Sequence, residues 1–189
     1  MIMRVILASQ SPRRKELMEL FHIPFLVQVA DIDETMENSA DPAEQVAAVS
    51  RKKALAIARQ WDDVVIAADT IVVCQGEIFG KPKNEGDAYR MLRQLSGKVH
   101  QVMTGMTVLC RDKEFVCTEV TDITFRELTD SEIYAYIGTK EPMDKAGAYA
   151  IQGGGALFAE KLAGDYFNVV GLPVCRLGQI LRMITEEEQ

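Results

Sequence analysis

Two adjacent arginines, Arg13 and Arg14, lie where a helix is expected to begin. They follow Ser9 and the pair Ser11-Pro12, and a serine followed by proline is typical of a helix start. A helix N-terminus presents unpaired N–H groups and a partial positive charge, which together bind anions. The sequence therefore favours a phosphate ligand here. The alternative is a solvated basic first turn, which the helix dipole disfavours.

The periodicity of this first helix predicts which arginine points inward. Arg13 has i, i+4, i+7 and i+8 spacing to Leu17, Leu20 and Phe21. This spacing predicts that Arg13 begins the inward face of the helix.

A lysine is predicted on the apolar face of the second long helix. Val46, Val49, Lys53 and Ile57 fall on one face, whereas Lys52 falls on the outer face. An inward cation needs a partner or a ligand. The alternative is a lysine whose ammonium extends past its neighbours to water.

An aspartate, Asp69, interrupts the apolar segment 64–73. A carboxylate inside an apolar strand is costly unless it is paired or bound to metal, and such groups are favoured as bases or metal ligands. The alternative is a structural aspartate that accepts backbone hydrogen bonds. A turn then follows at Gly80-Lys81-Pro82, which can return Lys81 towards the end of the strand.

The segment 143–155, MDKAGAYAIQGGG, is rich in small residues. Glycine lets a backbone approach a ligand closely, although a merely flexible loop is the alternative. Cations, an isolated carboxylate and a close-approach segment suit phosphoryl or nucleotidyl chemistry, in which positioning and charge stabilisation around a metal dominate. The GxxxxGK[ST] phosphate-binding loop is absent from the sequence.

The elements that must position these residues alternate between strands and helices. We expect strands at 3–8, 25–29 and 64–74, and helices at 12–21, 42–61 and 84–95. A hairpin of 99–109 and 115–125 should follow, then a helix that is capped by Thr129 and runs to about Ile137, a late strand and a last helix at 173–184. Alternation followed by a hairpin predicts an α/β fold with a mixed sheet flanked by helices.

Composition excludes several classes of protein. A length of 189 residues suits one domain, 1–189, with room for two lobes, and a net charge of −7 argues against a partner that is a nucleic-acid polymer. Without an apolar run of roughly 18 residues, a membrane span is not expected. The four cysteines form no CxxC pair, which favours buried free thiols and a cytoplasmic protein.

The chain resembles the Maf family of nucleotide pyrophosphatases across nearly its whole length. The matching blocks are ILASQSPRRKELM at 6–18, RKKA at 51–54, AADTIVV at 67–73, GKP at 80–82, MLRQLSGKVHQVMTG at 91–105 and EPMDKAGAYAIQGGGALF at 141–158. One small departure is Ala67, where relatives often have glycine.

This resemblance implies an elongated α/β fold with a central cleft between two lobes, of the Maf and ITPase-like kind. It also implies cleavage between the α- and β-phosphates of a nucleoside triphosphate with a divalent metal cation, Mg²⁺ or Mn²⁺. Asp69 matches the proton acceptor, and its role as a base or as a metal ligand stays open. Glu34 matches an acidic position near the metal, with Asp33 as the alternative. The phosphate-handling positions are matched by Ser9, Arg13, Arg14, Lys53 and Lys81.

Within the family, three positions resemble the branch that acts on dTTP and UTP. Arg13, Thr70 and Gln152 match the positions linked to this specificity. The resemblance thus implies a dTTP/UTP pyrophosphatase that removes unwanted nucleotides, with a link to inhibition of septum formation. The alternative function is a non-catalytic, nucleotide-binding regulator. The oligomeric state stays open, with a homodimer as one alternative.

Overall fold

The computed structural model describes residues 4–29, 31–34, 36 and 41–186. Its strands are β1 (Val5–Leu7), β2 (Phe25–Val27), β3 (Val64–Cys74), β4 (Glu77–Phe79), β5 (Val99–Cys110), β6 (Lys113–Phe125) and β7 (Ala159–Ala163). Its helices are α1 (Pro12–Glu19), α2 (Pro42–Leu55), α3 (Glu85–Leu95), α4 (Asp130–Gly138), α5 (Tyr166–Val170) and α6 (Val174–Glu186). Short 3-10 turns lie at Glu141–Asp144, Ala146–Ala148 and Gly154–Phe158.

The strands form one mixed sheet, which confirms the expected fold class. Its order is β2-β1-β3-β5-β6-β7, and β4 pairs with β3. β1 runs parallel to both β2 and β3, whereas β4 is antiparallel to β3 and β7 is antiparallel to β6. Almost every residue of β3 is buried, as expected for a strand that is covered on both faces.

The sequence expectations differ from the structure mainly at the ends of elements. α2 ends at Leu55 rather than at residue 61. Asp63 explains why the helix does not reach residue 60, because its buried carboxylate accepts the Gln60 N–H at 2.6 Å and the Arg4 Nε–H at 2.9 Å. The N–H of Gln60 is therefore bonded within a turn, and β3 begins directly after Asp63. Helix α5 was not predicted, and Met3, the first residue of the expected first strand, lies outside the described residues.

The chain forms two compact units. Unit 1 consists of Met1–Asp69, Thr104–Glu119 and Gly171–Gln189, and unit 2 consists of Thr70–Met103 and Val120–Val170. In unit 1, Ile6 and Val65 pack with Ile57 and Leu109 in an aliphatic cluster.

The core of unit 2 is rich in aromatic side chains. The Phe125 ring makes edge-on contacts with Tyr149 and Phe158, at centroid distances of 4.8 and 5.9 Å. Phe125 is 1% exposed, and burying a side chain of this kind stabilises a fold by about 1.5–3 kcal/mol.

Cysteine burial was predicted correctly for only two positions. Cys74 and Cys110 are buried, whereas Cys117 is half-buried and Cys175 is exposed. Cys175 lies on the exposed side of α6. The cysteine count alone gives no information on which side of a helix a cysteine occupies. Among the described residues, no helix is long and apolar enough to cross a membrane.

Candidate active site

Lys53 on α2 joins two carboxylates from different parts of unit 1. Its Nζ donates a hydrogen bond to Asp69 Oδ1 at 2.7 Å and lies 2.9 Å from Glu34 Oε1. The side chains of Lys53 and Asp69 are only 13% and 12% exposed. The prediction that Lys53 points inward is therefore confirmed, and its partner is the aspartate that interrupts β3.

The local sequence explains how these two side chains meet. Val46, Val49 and Ala54 are buried on α2, so the helix turns Lys53 towards the sheet. Asp69 ends the part of β3 that belongs to unit 1, and the residues before it on the strand are buried as well. Removing either charge would destabilise the protein, because the remaining charge would stay largely buried without a compensating partner.

Arg14, at the start of α1, adds a second cation to this region. It is buried, and it donates from Nε to the carbonyl oxygen of Gly171 at 2.8 Å and from Nη1 to Ser9 Oγ at 3.3 Å. Burial lowers the pKa of Arg14, while the negative charges of Asp69 and Glu34 raise it. Arg14 thus interacts electrostatically with both carboxylates that Lys53 contacts. We call Ser9, Arg14, Glu34, Lys53 and Asp69 the charged cluster.

The predicted inward face of α1 is wrong by about one residue. The buried side chains are Arg14, Leu17 and Met18, whereas Arg13 is only half-buried and Leu20 is 54% exposed. The helix ends at Glu19, so Leu20 lies at its cap and does not continue the face. The hydrogen bond from Arg14 to Gly171 orients the helix, and no sequence signal marks a backbone carbonyl 157 residues away.

The acidic segment 31–34 supplies one of the two carboxylates of the charged cluster. Glu34 is exposed, and its Oε1 contacts the Lys53 ammonium. Its expected place near a metal stays a prediction. Asp33 is exposed beside it and remains the alternative acid.

The remaining candidates, Thr70, Lys81 and Gln152, belong to unit 2. Thr70 is half-buried, and Lys81 and Gln152 are exposed. Within this unit, the N–H of Gly147 donates to the carbonyl oxygen of Gly80 at 3.0 Å, which joins the Lys81 turn to the glycine-rich segment. The structure thus brings the segments that carry Lys81 and Gln152 together. The ligand contacts expected of these side chains stay predictions.

Gly147 lies at the point where this glycine-rich segment approaches β3. Its φ of +68° is in the left-handed region, and a Cβ there would lie 2.9 Å from Cγ2 of Val72. Both features require glycine, so this part of the segment is a close approach of backbone rather than a flexible loop.

The donor set of the charged cluster fits a hard divalent cation. Two carboxylates, Glu34 and Asp69, already converge on one positive group. Mg²⁺ is usually bound by one or two carboxylates together with substrate phosphates and water. Within the part of the chain that the structure describes, no group of three or more His, Cys, Asp or Glu side chains could hold a metal. Glu34 and Asp69 therefore match the number of carboxylates that such a site takes from a protein.

Comparison with known proteins identifies the family of this chain. The model of the family described as Maf-like protein matches residues 4–184. The chain belongs to the Maf family. Similar family members are the dTTP/UTP pyrophosphatase of Bacillus cereus (strain AH187), 48% identical over 95% of this chain and 94% of the relative, and that of Bacillus cytotoxicus, 48% identical with the same coverage.

A distant likeness to a solved structure is also found. A HAM1 protein from Coxiella burnetii is 17% identical, with a TM-score of 0.48 over 80% of this chain and 89% of that one.

Proposed function

We propose that this protein hydrolyses dTTP and UTP to the nucleoside monophosphate and pyrophosphate. The observation that carries the proposal is the charged cluster: an inward lysine shared by two carboxylates, with a buried arginine beside them. The relatives named dTTP/UTP pyrophosphatases support the same activity, because they are 48% identical over 95% of the chain.

In the proposed mechanism, Asp69 accepts the proton of the attacking water. The Lys53 ammonium fixes the orientation of this carboxylate, with Nζ 2.7 Å from Oδ1, so that it can act as a general base. Glu34 and Asp69 would hold a divalent cation, which would supply polarisation of the α-phosphoryl group. Asp69 as a metal ligand alone is the alternative assignment.

The cations hold the triphosphate and stabilise the charge that develops on the leaving pyrophosphate. Arg14 and Lys53 lie next to the two carboxylates, Ser9 is hydrogen-bonded to Arg14, and Arg13 precedes it on α1. Preorganised donors of this kind contribute most where charge develops in the transition state. We assign Lys81 of unit 2 to the same task on the basis of its matched position.

Base choice is assigned to Gln152, with Thr70 and Arg13 as further specificity residues. The carboxamide of Gln152 offers both a donor and an acceptor, which suits the neighbouring carbonyl and N–H of uracil or thymine. Cytosine presents an amino group and a ring nitrogen without hydrogen at that edge, so CTP should be a weaker substrate. We also propose that the protein acts in the cytoplasm, where it removes unwanted nucleotides.

The test is a panel of nucleoside triphosphates assayed with Mg²⁺ and with Mn²⁺, with the products separated by chromatography. UTP should give UMP and pyrophosphate, and EDTA should abolish the reaction. UDP and orthophosphate as the first products would contradict the proposed bond cleavage. Binding of UTP without turnover in either metal would favour the non-catalytic regulator instead.

A further inference from the structure

Residues 150–154, which we call the glycine turn, carry Gln152 between two backbone N–H groups that are held by side chains. The turn is closed by a hydrogen bond from the Gly153 N–H to the carbonyl oxygen of Ala150 at 3.2 Å. Before Gln152, the Ala150 N–H donates to the Tyr136 hydroxyl oxygen at 3.0 Å. After Gln152, the Gly154 N–H donates to Glu141 Oε2 at 3.2 Å.

The two side chains that hold the turn are also bonded to each other. The Tyr136 hydroxyl donates to Glu141 Oε1 at 2.6 Å, so one chain of hydrogen bonds runs from Ala150 through Tyr136 and Glu141 to Gly154. Tyr136 itself is fixed, because it is buried on α4 and its ring meets Phe158 edge-on at 5.0 Å. Charge-assisted hydrogen bonds such as those to Glu141 are stronger than those between neutral groups.

Close packing shows that the glycine turn and its two supports fit one another. A Cβ on Gly153 would overlap Glu141 Oε1, and a Cβ on Gly154 would lie 3.0 Å from the Tyr136 ring. The glycines after Gln152 therefore let the backbone rest directly on the carboxylate and the phenol. These two glycines thus make close contacts within the protein, while the expected close approach of this segment to a ligand stays a prediction.

We propose that Tyr136 and Glu141 are positioning residues for base recognition: together they hold the glycine turn in the conformation that presents Gln152 to the pyrimidine. The inference rests on the proposed function, since it assigns the support for the residue that reads the base. Neither residue needs to touch the substrate. The advantage is that an exposed amide side chain on a fixed backbone loses less freedom on binding, and preorganisation of this kind increases affinity and selectivity.

Glu141 holds the glycine turn because two donors approach its carboxylate from different sides. It accepts the Tyr136 hydroxyl at one oxygen and the Gly154 N–H at the other. A carboxamide can still accept the Gly154 N–H while its NH₂ group donates to the Tyr136 hydroxyl oxygen. Glu141→Leu removes both acceptors and therefore breaks the hydrogen-bond chain at Gly154.

The test combines kinetics with amide hydrogen exchange in Tyr136→Phe, which retains the ring and removes the hydroxyl. In the nucleotide-free protein, exchange of the Ala150 amide should become at least about tenfold faster, since its acceptor is lost. In assays, the ratio of kcat/KM for UTP to that for CTP should fall by about tenfold, through a higher KM for UTP and with kcat changed little. The matched control is Tyr134→Phe, which removes an exposed hydroxyl from the same helix. It should change neither the exchange of the Ala150 amide nor the preference for UTP over CTP.

Each outcome separates the inference from the function on which it rests. A wild-type enzyme that prefers UTP, with the same preference in Tyr136→Phe, overturns the positioning role. Unchanged exchange at Ala150 overturns it as well. If wild type does not prefer UTP over CTP, the proposed base choice fails, and the exchange data alone decide whether Tyr136 holds the turn. A merely structural role would lower the active fraction for both nucleotides equally. Should Tyr136→Phe not fold, Glu141→Leu replaces it, with faster exchange expected at Gly154 because the acceptor of its N–H is lost.

Discussion

The charged cluster of unit 1 and the glycine turn of unit 2 hold their functional groups in different ways. In the charged cluster, the side chains fix one another, since Lys53 binds Asp69 and Glu34 directly. In the glycine turn, the functional side chain of Gln152 is exposed, and it is the backbone on either side that is held, by Tyr136 and Glu141. Substitutions in the first region should therefore change the chemical step, whereas substitutions in the second should change the choice of base.

The largest effect is expected for Asp69→Asn in the charged cluster. The amide keeps the shape of the carboxylate but cannot accept a proton, so kcat should fall at least about 10²-fold, the low end for general-base catalysis. Steady-state assays on UTP and CTP measure the loss. Both substrates should lose rate equally, because base recognition is assigned to the other region. Near-normal turnover of the folded variant would remove Asp69 from the mechanism.

The next effect is expected for Lys53→Met, which keeps the apolar stem and removes the charge. The sequence alone suggests that stability would hold or rise. The structure reverses this expectation, because the variant leaves the buried Asp69 without its ammonium partner, and breaking such a pair costs several kcal/mol. We expect lower activity together with a lower Tm. A double variant with Asp69→Asn should regain part of the stability.

Lys52→Met is the control for this experiment, since Lys52 is the exposed neighbour of Lys53 and carries the same charge on the outer side of α2. It should leave activity and Tm nearly unchanged. If Lys52→Met and Lys53→Met behave alike, the ion pair with Asp69 does not stabilise the charged cluster.

An effect on stability alone is expected from His100, which lies in the aromatic core of unit 2. Its Nε2 shares a hydrogen bond of 2.8 Å with the Tyr149 hydroxyl, and burial lowers its pKa to about 4, partly offset by Asp122. The unfolded chain, with a pKa near 6.5, binds more protons between these values. Stability should thus be complete above about pH 6.5 and decrease as pH falls to about 4, by about 3 kcal/mol in total.

Thermal unfolding between pH 4 and pH 7.5 measures this loss, with His100→Gln as the comparison. The variant has no imidazole to protonate, so its Tm should depend less on pH over that range. An equal dependence in wild type and variant would assign the acid sensitivity to other groups.

The smallest effect on rate is expected for Gln152→Ala in the glycine turn. The chemical step for UTP should change by no more than a fewfold, while the preference for UTP over CTP should fall by about tenfold. Competition between the two nucleotides in one reaction measures the preference directly. A loss of kcat as large as that of Asp69→Asn would show that the two regions are not functionally separate.

The sequence by itself determined the elements and the chemistry they carry. Apolar periodicity placed Lys53 on the inner face of α2, the interruption of an apolar strand identified Asp69, and Thr129 was recognised as the cap of α4. These features are local, because a helix face or a strand repeats over a few residues and leaves a visible pattern. The matched blocks likewise determined the family.

Only the tertiary structure decided which partners these residues have. Arg14 rather than Arg13 is buried because its guanidinium reaches the carbonyl oxygen of Gly171, and the glycine turn is rigidly held because Tyr136 and Glu141 reach its N–H groups. In each case one partner is a backbone group, which every residue type provides and which leaves no pattern in the sequence. Such contacts exist only once the chain has folded and brought distant segments within hydrogen-bond distance.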